Sequence, residues 1–355
     1  MKKIILTGGG TAGHVTPNLA LVPALKAEGY EIHYIGSLDG IEKGLVEAAG
    51  IPYYGISSGK LRRYMDVKNV TDAFRVIKGF GDAFGIIRQI KPDIVFSKGG
   101  FVTVPVLVAA RTLRVKCVVH ESDLTPGLAN RLSQPFANKI CVSFPETLAY
   151  LPERKAVLTG SPIRKELLQG DRRKGLALCE WTESDKPVML VTGGSQGSAA
   201  INNCIREALP MLLQQLRVIH LCGKGNLSGI KHVDYKEFEY VQEGLEDLYA
   251  LANITISRAG ANTIFELLAL RKPNLLIPLP AEQSRGDQIL NAESFALQGF
   301  SMLLPEGKMT PERLLNDIEI LYNEREIFIA NMTSHKQGDP TARVMEVLRE
   351  TLERL

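Results

Sequence analysis

Short runs of β-branched and aliphatic residues alternate with longer amphipathic segments along the whole chain. This alternation is typical of βα units that build a parallel sheet. In the first half it predicts strands at Lys3–Thr7, Glu31–Ile35, Asp93–Ser97, Lys116–His120 and Lys139–Ser143. The segments between them predict helices at Val15–Glu28, Ile41–Ala49, Val67–Ile90 and Val104–Leu113.

The same pattern restarts after Pro187. Its predicted strands are Val188–Thr192, Arg217–Cys222, Asn253–Ser257, Asn274–Pro278 and Ser301–Leu304. Each series opens with a strand, a glycine-rich turn and a helix, so we expect an α/β protein with two Rossmann-like, doubly wound parallel-sheet domains. Ligands bind at the carboxyl ends of such strands, and two domains facing each other would form one cleft.

The length of 355 residues also suggests two domains, at roughly 150 residues each. Glycine, serine and proline break any regular element at Thr159–Pro162. We therefore expect a first domain at 1–161 and a second at 162–340. Residues 341–355 are predicted to form a C-terminal helix that can pack on either domain, including a return to the first.

Composition narrows the possible functions. Hydrophobic residues make up 45% and charged residues 23%, as in globular proteins. The net charge of +3 lacks the basic excess of a dedicated nucleic-acid binder, so no nucleic-acid partner is expected. The five cysteines are scattered, which argues against a disulfide framework or a zinc site. The apolar runs Ile4–Leu6 and Val102–Ala110 are too short for a signal peptide and a membrane span, respectively.

The first glycine-rich turn, Gly8–His14, contains the pattern G-x-G-x-x-G directly after a strand. Such glycines let backbone N–H groups approach a phosphate or sugar at a helix N-terminus, although a tight turn alone also explains them. A dinucleotide site further requires an acidic residue at the end of the second strand, where Asp39 is late and Glu31 is early.

His14 falls in the first turn of the helix that follows this loop. Helix-dipole repulsion there favours the neutral imidazole, which suits a general base. A polar cap without a catalytic role is the alternative.

Three features of the second half and the domain junction suit a nucleoside diphosphate. The turn Gly193–Ser198 can offer N–H and O–H donors to phosphates, unless Ser198 is only a helix cap. Glu266, about two turns into a helix, can accept from ribose hydroxyls or be an ordinary solvated glutamate. Arg164 can clamp a phosphate or lie on the surface.

No D-x-D motif or paired His/Asp cluster accompanies these loops. The diphosphate charge would then be met by helix ends and arginine rather than by a divalent ion. We therefore predict a reaction that needs no metal.

The segment Lys60–Lys91 carries eight basic side chains against three aspartates, interleaved with apolar residues. This mixture is typical of a surface that binds anionic membranes, and also of a core-packed helix with a solvated basic side.

Taken together, the motifs resemble the MurG family of bacterial peptidoglycan N-acetylglucosaminyltransferases. The residues that carry the resemblance are Gly8–His14, Lys98–Val102, His120–Asp123, Gly127–Asn130, Gly160–Arg164, Gly193–Gly197, Ser257–Ala261 and Gln288–Asn291. The resemblance implies the GT-B fold, UDP-N-acetylglucosamine as donor and lipid I as acceptor, with no cofactor. It also implies peripheral attachment to the anionic cytoplasmic face of the cell membrane, and allows partners among other cell-wall synthesis or division proteins.

The resemblance also assigns site residues by matching position. The donor site would comprise Arg164, Ser195, Gln196, Val241, Ala261, Asn262, Thr263, Glu266 and Gln288. The first domain would contribute Thr11, Ala12, Gly13 and Asp123, with His14 or Glu121 as the catalytic base. Many relatives have His-Glu-Gln-Asn where this chain has His120-Glu121-Ser122-Asp123, so an amide contact cannot be carried over to Asp123.

These residues fit an inverting single displacement, in which the acceptor's C4 hydroxyl attacks the anomeric carbon as UDP leaves. A UDP-N-acetylglucosamine 2-epimerase is the alternative enzyme, since it needs no lipid acceptor. A non-catalytic module that binds a dinucleotide through the first glycine loop is the alternative outside enzymes.

Overall fold

The computed structural model describes residues 1–59, 68–194, 196–241, 243–335 and 338–353. Two compact units are present. The first comprises Met1–Arg164 together with the C-terminal helix, and the second begins at Lys165 and ends before that helix.

The first unit is built on a parallel sheet that has seven strands among the described residues. The strands are β1 (Lys3–Thr7), β2 (Glu31–Ser37), β3 (Tyr53–Ile56), β4 (Ile94–Ser97), β5 (Lys116–Glu121), β6 (Lys139–Val142) and β7 (Ala156–Leu158). Their spatial order is β3-β2-β1-β4-β5-β6-β7, so the winding direction reverses between β1 and β4. That reversal is the topological switch point at which doubly wound sheets bind ligands.

Helices cover both faces of this sheet. They are α1 (Ala12–Ala27), α2 (Glu42–Ala48), α3 (Lys68–Ile90), α4 (Thr103–Thr112) and α5 (Leu128–Ser133), with a 3₁₀ turn at Pro145–Tyr150. Alternate residues of β1 enter different cores: Ile4 and Leu6 pack into one cluster, and Ile5 packs into another with residues of α3 and α4. This alternation follows from the two-residue period of a strand.

The second unit repeats the arrangement. Its strands are β8 (Val188–Thr192), β9 (Arg217–Leu221), β10 (Tyr235–Phe238), β11 (Ile254–Ser257), β12 (Asn274–Leu276) and β13 (Met302–Leu303). Their order is β10-β9-β8-β11-β12-β13, all parallel, with the switch point between β8 and β11. Its helices are α6 (Arg172–Cys179), α7 (Ala199–Gln215), α8 (Leu245–Leu251), α9 (Ala261–Ala269), α10 (Asp287–Leu297), α11 (Pro311–Asn323) and α12 (Arg325–Ser334).

The C-terminal helix α13 (Pro340–Glu353) belongs to the first unit. Its Val344 and Leu348 are fully buried in the cluster that contains Ile4 and Leu6. Lys116 of β5 donates a hydrogen bond to the Leu352 carbonyl at 3.1 Å. The first unit is therefore assembled from both ends of the chain.

All ten predicted strands are confirmed close to their expected positions, and so is the doubly wound α/β class. The sequence did not reveal β3, β7 and β10, which are short strands at the outer edges of the two sheets. The predicted helix at Val67–Ile90 is observed from Lys68, and Val67 with residues 60–66 lies outside the described residues. In the described part of the chain, none of the helices combines the length and apolarity needed to cross a bilayer.

Candidate active site

The first glycine loop joins β1 to α1 at the switch point of the first sheet. Gly10 has a φ of +89°, which glycine adopts without strain. Thr11 is the exposed N-cap of α1 in an extended conformation, and Ala12 and Gly13 follow in its first turn. The N-terminal end of a helix carries partial positive charge, which suits an anionic or polar ligand.

His14 is half-buried, and its ring is oriented by the same loop. Its Nδ1 lies 3.0 Å from the Gly9 carbonyl oxygen and 3.2 Å from the Thr11 hydroxyl. Because a carbonyl can only accept, Nδ1 carries the proton in the neutral ring. Nε2 then holds the lone pair, which is the form that a general base requires.

Two buried side chains, Tyr34 on β2 and Asn18 on α1, support the loop through hydrogen bonds to backbone carbonyls. The Tyr34 hydroxyl donates to the Gly8 carbonyl at 2.8 Å, and burial raises the pKa of Tyr34. Asn18 donates to the carbonyls of Thr7 and His14 at 3.1 and 3.3 Å. Sequence reasoning missed both residues. Their partners are backbone carbonyls, which no side-chain motif reveals.

A second loop, after β4, packs directly on the first. Gly100 has a φ of +92°, and a Cβ there would lie 2.3 Å from the Gly9 carbonyl oxygen. The glycines of the motif Lys98-Gly99-Gly100 therefore let the backbone of this loop contact the backbone of the first glycine loop at the switch point.

Lys98 is buried beneath these loops. Its Nζ donates to Nδ1 of His120 at 2.8 Å and to the Ser122 hydroxyl at 2.6 Å, and Nε2 of His120 donates to the Gly160 carbonyl at 2.9 Å. Burial lowers the pKa of Lys98 to about 7, although the carboxylates of Glu121 and Asp123 oppose this shift. Burial, and then the Lys98 charge, hold the pKa of His120 well below its usual value.

Glu121 ends β5 and is 4% exposed. Its carboxylate accepts hydrogen bonds from the Asp123 N–H at 3.0 Å, the Gly127 N–H at 2.9 Å and the Asn130 amide at 2.8 Å. Asp123 itself is half-buried, and its carbonyl accepts from Thr147 at 3.4 Å. The Glu121 carboxylate therefore organises the loop that contains Asp123.

The second glycine loop follows β8 in the same way. Gly197 has a φ of +77°, and a Cβ there would meet the Cys222 carbonyl oxygen at 2.0 Å. A Cβ on Gly223 would lie 2.4 Å from the carbonyl oxygen of the exposed Gln196. Ser195 lies outside the described residues, while Ser198 is the N-cap of α7 and accepts from the Ile201 N–H at 3.3 Å.

Arg258 links the strand ends of the second unit. It is 8% exposed, and it donates to the carbonyls of Ile277 and Pro278 at 3.1 and 3.2 Å and to the Ser198 hydroxyl at 2.7 Å. It also pairs with Glu306. Sequence reasoning noted Arg258 only as part of a motif and missed that it connects β11, β12 and the start of α7.

The remaining donor-site candidates of the second unit lie on α9 and α10. Ala261, Asn262 and Thr263 form the first turn of α9, and Glu266 on its second turn is 8% exposed rather than solvated. Gln288, in the first turn of α10, accepts from the Leu279 N–H at 3.1 Å. Asn291 donates to the Ala259 carbonyl at 3.3 Å, so α10 is tied to the turn that opens α9.

Two further candidates lie at the margins. Arg164 is half-buried and closes the first unit, just before a 3₁₀ turn at Lys165–Gln169. Val241 is half-buried between β10 and α8. The structure thus groups Thr11 with His14, Glu121 with Asp123, and Ala261–Glu266 within α9.

Neither Glu31 nor Asp39, the two acidic residues that a dinucleotide site could use, lies at the first glycine loop. Glu31 begins β2, at the opposite end of that strand, and hydrogen-bonds His33 at 2.8 Å. Asp39 is exposed in the turn after β2. Among the described residues, no group of three His, Cys, Asp or Glu side chains is arranged to hold a metal ion.

Two family models match the chain. The glycosyltransferase family 28 N-terminal domain matches residues 4–142, and the glycosyltransferase family 28 C-terminal domain matches residues 188–348. The chain is therefore a glycosyltransferase of the GT-B class.

Relatives with known names narrow this class. The chain is 56% identical to the UDP-N-acetylglucosamine--N-acetylmuramyl-(pentapeptide) pyrophosphoryl-undecaprenol N-acetylglucosamine transferase of Lachnospira eligens, over 99% of both chains. It is 53% identical to the protein of the same name from Clostridium novyi, over 98% of both chains. The crystal structure of Acinetobacter baumannii MurG superposes with a TM-score of 0.76 at 25% identity, covering 99% of this chain and 100% of that one. The chain belongs to the MurG family.

Proposed function

We propose that the chain transfers N-acetylglucosamine from UDP-N-acetylglucosamine to the C4 hydroxyl of the muramoyl sugar of lipid I, forming lipid II. The observation that carries this proposal is the 56% identity to the Lachnospira eligens transferase over 99% of both chains. Relatedness over the whole length covers both glycine loops and both switch points, which a shared fold alone does not require.

The reaction is a single displacement that inverts the anomeric carbon. The C4 hydroxyl oxygen forms a bond to that carbon, and the bond from the carbon to the β-phosphate oxygen breaks. The bonding electron pair leaves on UDP, and the hydroxyl proton passes to the enzyme's base. One displacement converts the α-linked donor into a β-linked product.

His14 is the base that the geometry supports better. Its Nδ1 is bonded to the Gly9 carbonyl, so Nε2 presents the lone pair. Both carboxylate oxygens of Glu121 accept hydrogen bonds, from two N–H groups of the loop after β5 and from the Asn130 amide on α5. Proton transfer to Glu121 would have to compete with these bonds, whereas transfer to His14 strengthens the bond that already orients the ring.

The donor is proposed to bind along the strand ends of the second unit. The first turn of α9 and the loop containing Ser195 and Gln196 would stabilise the charge that develops on UDP. Arg164 and Gln288 would contact the phosphates, Glu266 the ribose hydroxyls and the Val241 backbone the uracil. Thr11, Ala12, Gly13 and Asp123 would contact the acceptor side.

Peripheral attachment to the cytoplasmic face of the membrane is proposed to use α3. Ile77 is 67% exposed, with the exposed basic residues Arg75 and Lys78 beside it. Phe80 and Phe84 are half-buried, with ring centroids 6.0 Å apart, and pack toward the core. An exposed apolar residue with basic neighbours suits an anionic lipid surface. Association with other cell-wall synthesis or division proteins stays a prediction of the resemblance.

The deciding experiment incubates the protein with labelled UDP-N-acetylglucosamine and a lipid I analogue, followed by linkage analysis of the product. We expect a β-1,4-linked disaccharide and UDP. An α-linked product would exclude single displacement.

A parallel reaction without acceptor tests the epimerase alternative. UDP-N-acetylglucosamine 2-epimerase from Neisseria meningitidis superposes with a TM-score of 0.69 at 13% identity, a likeness of fold alone. We expect the donor to stay unchanged without acceptor. Donor epimerisation in this control, with no transfer in the complete reaction, would replace the proposal with the epimerase.

A further inference from the structure

One peptide group in the first glycine loop is hydrogen-bonded at both of its ends. The carbonyl of Gly9 accepts from Nδ1 of His14 at 3.0 Å. The N–H of Gly10, in the same peptide group, donates to Oε2 of Glu42 at 3.3 Å. Since the peptide group is planar and rigid, His14 and Glu42 are connected through a single polar unit.

Glu42 is built into this position. It is the first residue of α2 and is fully buried, and its Oε1 accepts from both the N–H and the hydroxyl of Ser37. A Cβ at Gly9 would lie 2.4 Å from this carboxylate, and one at Gly40 would lie 2.2 Å from it. A carboxylate is costly to bury unless several donors meet it, and here donors and glycines surround it.

Other titratable groups surround Glu42 on β2, β3 and α2. Tyr34 on β2 and Tyr53 on β3 both lie within its electrostatic reach, and burial raises the pKa of each above its usual value. Glu47 acts on Tyr53 from the exposed side of α2. From the β4 side, the Lys98 ammonium group is directed to His120 and Ser122.

We propose that Glu42 is a positioning residue for His14 and acts through the Gly9–Gly10 peptide group. The carboxylate draws on the peptide N–H and so makes the Gly9 carbonyl a stronger acceptor for Nδ1–H. This keeps the proton on Nδ1 and stabilises the imidazolium that forms when Nε2 takes the acceptor's hydroxyl proton. A carboxylate orients the imidazole of a catalytic triad by the same logic, but there the contact is direct.

This inference rests on the proposed role of His14 as the base, and its primary test does not depend on activity. NMR of protein labelled with ¹⁵N-histidine reports the tautomer and the titration midpoint of His14, assigned by comparison with His14→Ala. In the native protein we expect the neutral ring to carry its proton on Nδ1. A ring protonated on Nε2 would overturn the proposal without any further variant.

The variant Glu42→Gln removes the charge but keeps the size of the side chain. The negative charge favours the imidazolium, so its loss should move the His14 titration to lower pH. Glu47→Gln removes the same charge from the exposed side of α2 and should leave the titration in place. An equal shift in both variants, or no shift in Glu42→Gln, would contradict a role for the peptide group. Should Glu42→Gln not fold, Glu42→Asp keeps the charge and should keep the Nδ1–H tautomer.

Steady-state kinetics then distinguish positioning of His14 by Glu42 from a purely structural role of Glu42 in the loop. We expect Glu42→Gln to lower kcat roughly 10- to 100-fold, by analogy with residues that orient a functional histidine, with little change in KM for the donor. In a His14→Ala background the same change should have almost no further effect on kcat. An undiminished effect there would show that Glu42 acts on the fold alone. Absence of transfer by the native enzyme would reject the proposed function. The NMR measurement would still show whether Glu42 controls the tautomer of His14.

Discussion

Lys98 and His120 form a buried pair in which the lysine donates to the histidine, with Nζ 2.8 Å from Nδ1. Both groups have a lowered pKa, because burial disfavours the charge on each of them. The pair connects the end of β4 to the end of β5, and through the Gly160 carbonyl it reaches the segment that follows β7.

The lowered pKa of Lys98 predicts a pH dependence of stability. In the folded protein the pKa of Lys98 is about 7, whereas an unfolded lysine titrates near 10.4. Between these values the unfolded chain holds a proton that the folded chain has released, so the Lys98 contribution to the free energy of unfolding rises with pH. Urea unfolding at pH 7, 8 and 9 should show a smaller rise for Lys98→Met than for the native protein. The exposed Lys78→Met should keep the native slope, and equal slopes for all three proteins would refute the assignment.

Removing Arg258 should destabilise the protein more than removing the half-exposed Arg343. Arg258→Ala leaves two carbonyls, the Ser198 hydroxyl and the Glu306 carboxylate without their buried partner. We expect a loss of about 3–5 kcal/mol in the free energy of unfolding. Arg343→Ala removes a half-exposed pair with Glu346 and should cost less than about 1 kcal/mol. Similar losses for the two variants would mean that Arg258 does not connect the strand ends as described.

Alanine substitutions at Gly100 and Gly29 separate the cost of a steric clash from the cost of a left-handed backbone. Both have positive φ, but a Cβ on Gly100 meets the Gly9 carbonyl at 2.3 Å while one on Gly29 meets nothing within 4 Å. Gly29→Ala should cost about 1–2 kcal/mol of stability through the left-handed backbone alone. Gly100→Ala should cost more and should also lower kcat, because it displaces the carbonyl that orients His14. Thermal unfolding and turnover of both variants test this, and a smaller cost at Gly100 would argue against the packing of the two loops.

The sequence predicted the strands and glycine loops of the site, but not the buried hydrogen bonds that hold these loops in place. The strand before each glycine loop is a short apolar run of consecutive residues, so it could be predicted from the sequence alone. The partners of Lys98 and Arg258, and the Gly10 partner of Glu42, come from segments remote in sequence, and no local pattern marks a charged residue as buried. Motif matching located Glu121 but not the loop N–H groups that bind its carboxylate, because backbone donors leave no trace in side-chain identity.

The membrane proposal predicts binding to vesicles that contain anionic lipid. Neutralising one exposed basic residue, as in Lys78→Gln, should weaken binding by about 1 kcal/mol, roughly fivefold. Lys174→Gln on α6 provides the control, since it removes an exposed charge from the second unit. Flotation at increasing ionic strength should show progressive release, because surface attraction is screened by salt. Salt-independent binding, or equal effects of the two variants, would count against α3.

Metal independence remains a prediction for the transfer reaction. If helix ends and Arg164 meet the diphosphate charge, turnover with excess chelator should equal turnover without it. Turnover abolished by chelator and restored by Mg²⁺ would require a cation at the diphosphate after all.

The position of α13 has a consequence for the order in which the molecule is made. Val344 and Leu348 complete the core around Ile4 and Leu6, although more than 330 residues separate these positions along the chain. During synthesis, which proceeds from the N-terminus, the sheet that is made first therefore waits for α13 until the whole second unit has been synthesised. The second unit, continuous in sequence, meets no such delay and can finish folding before its predecessor.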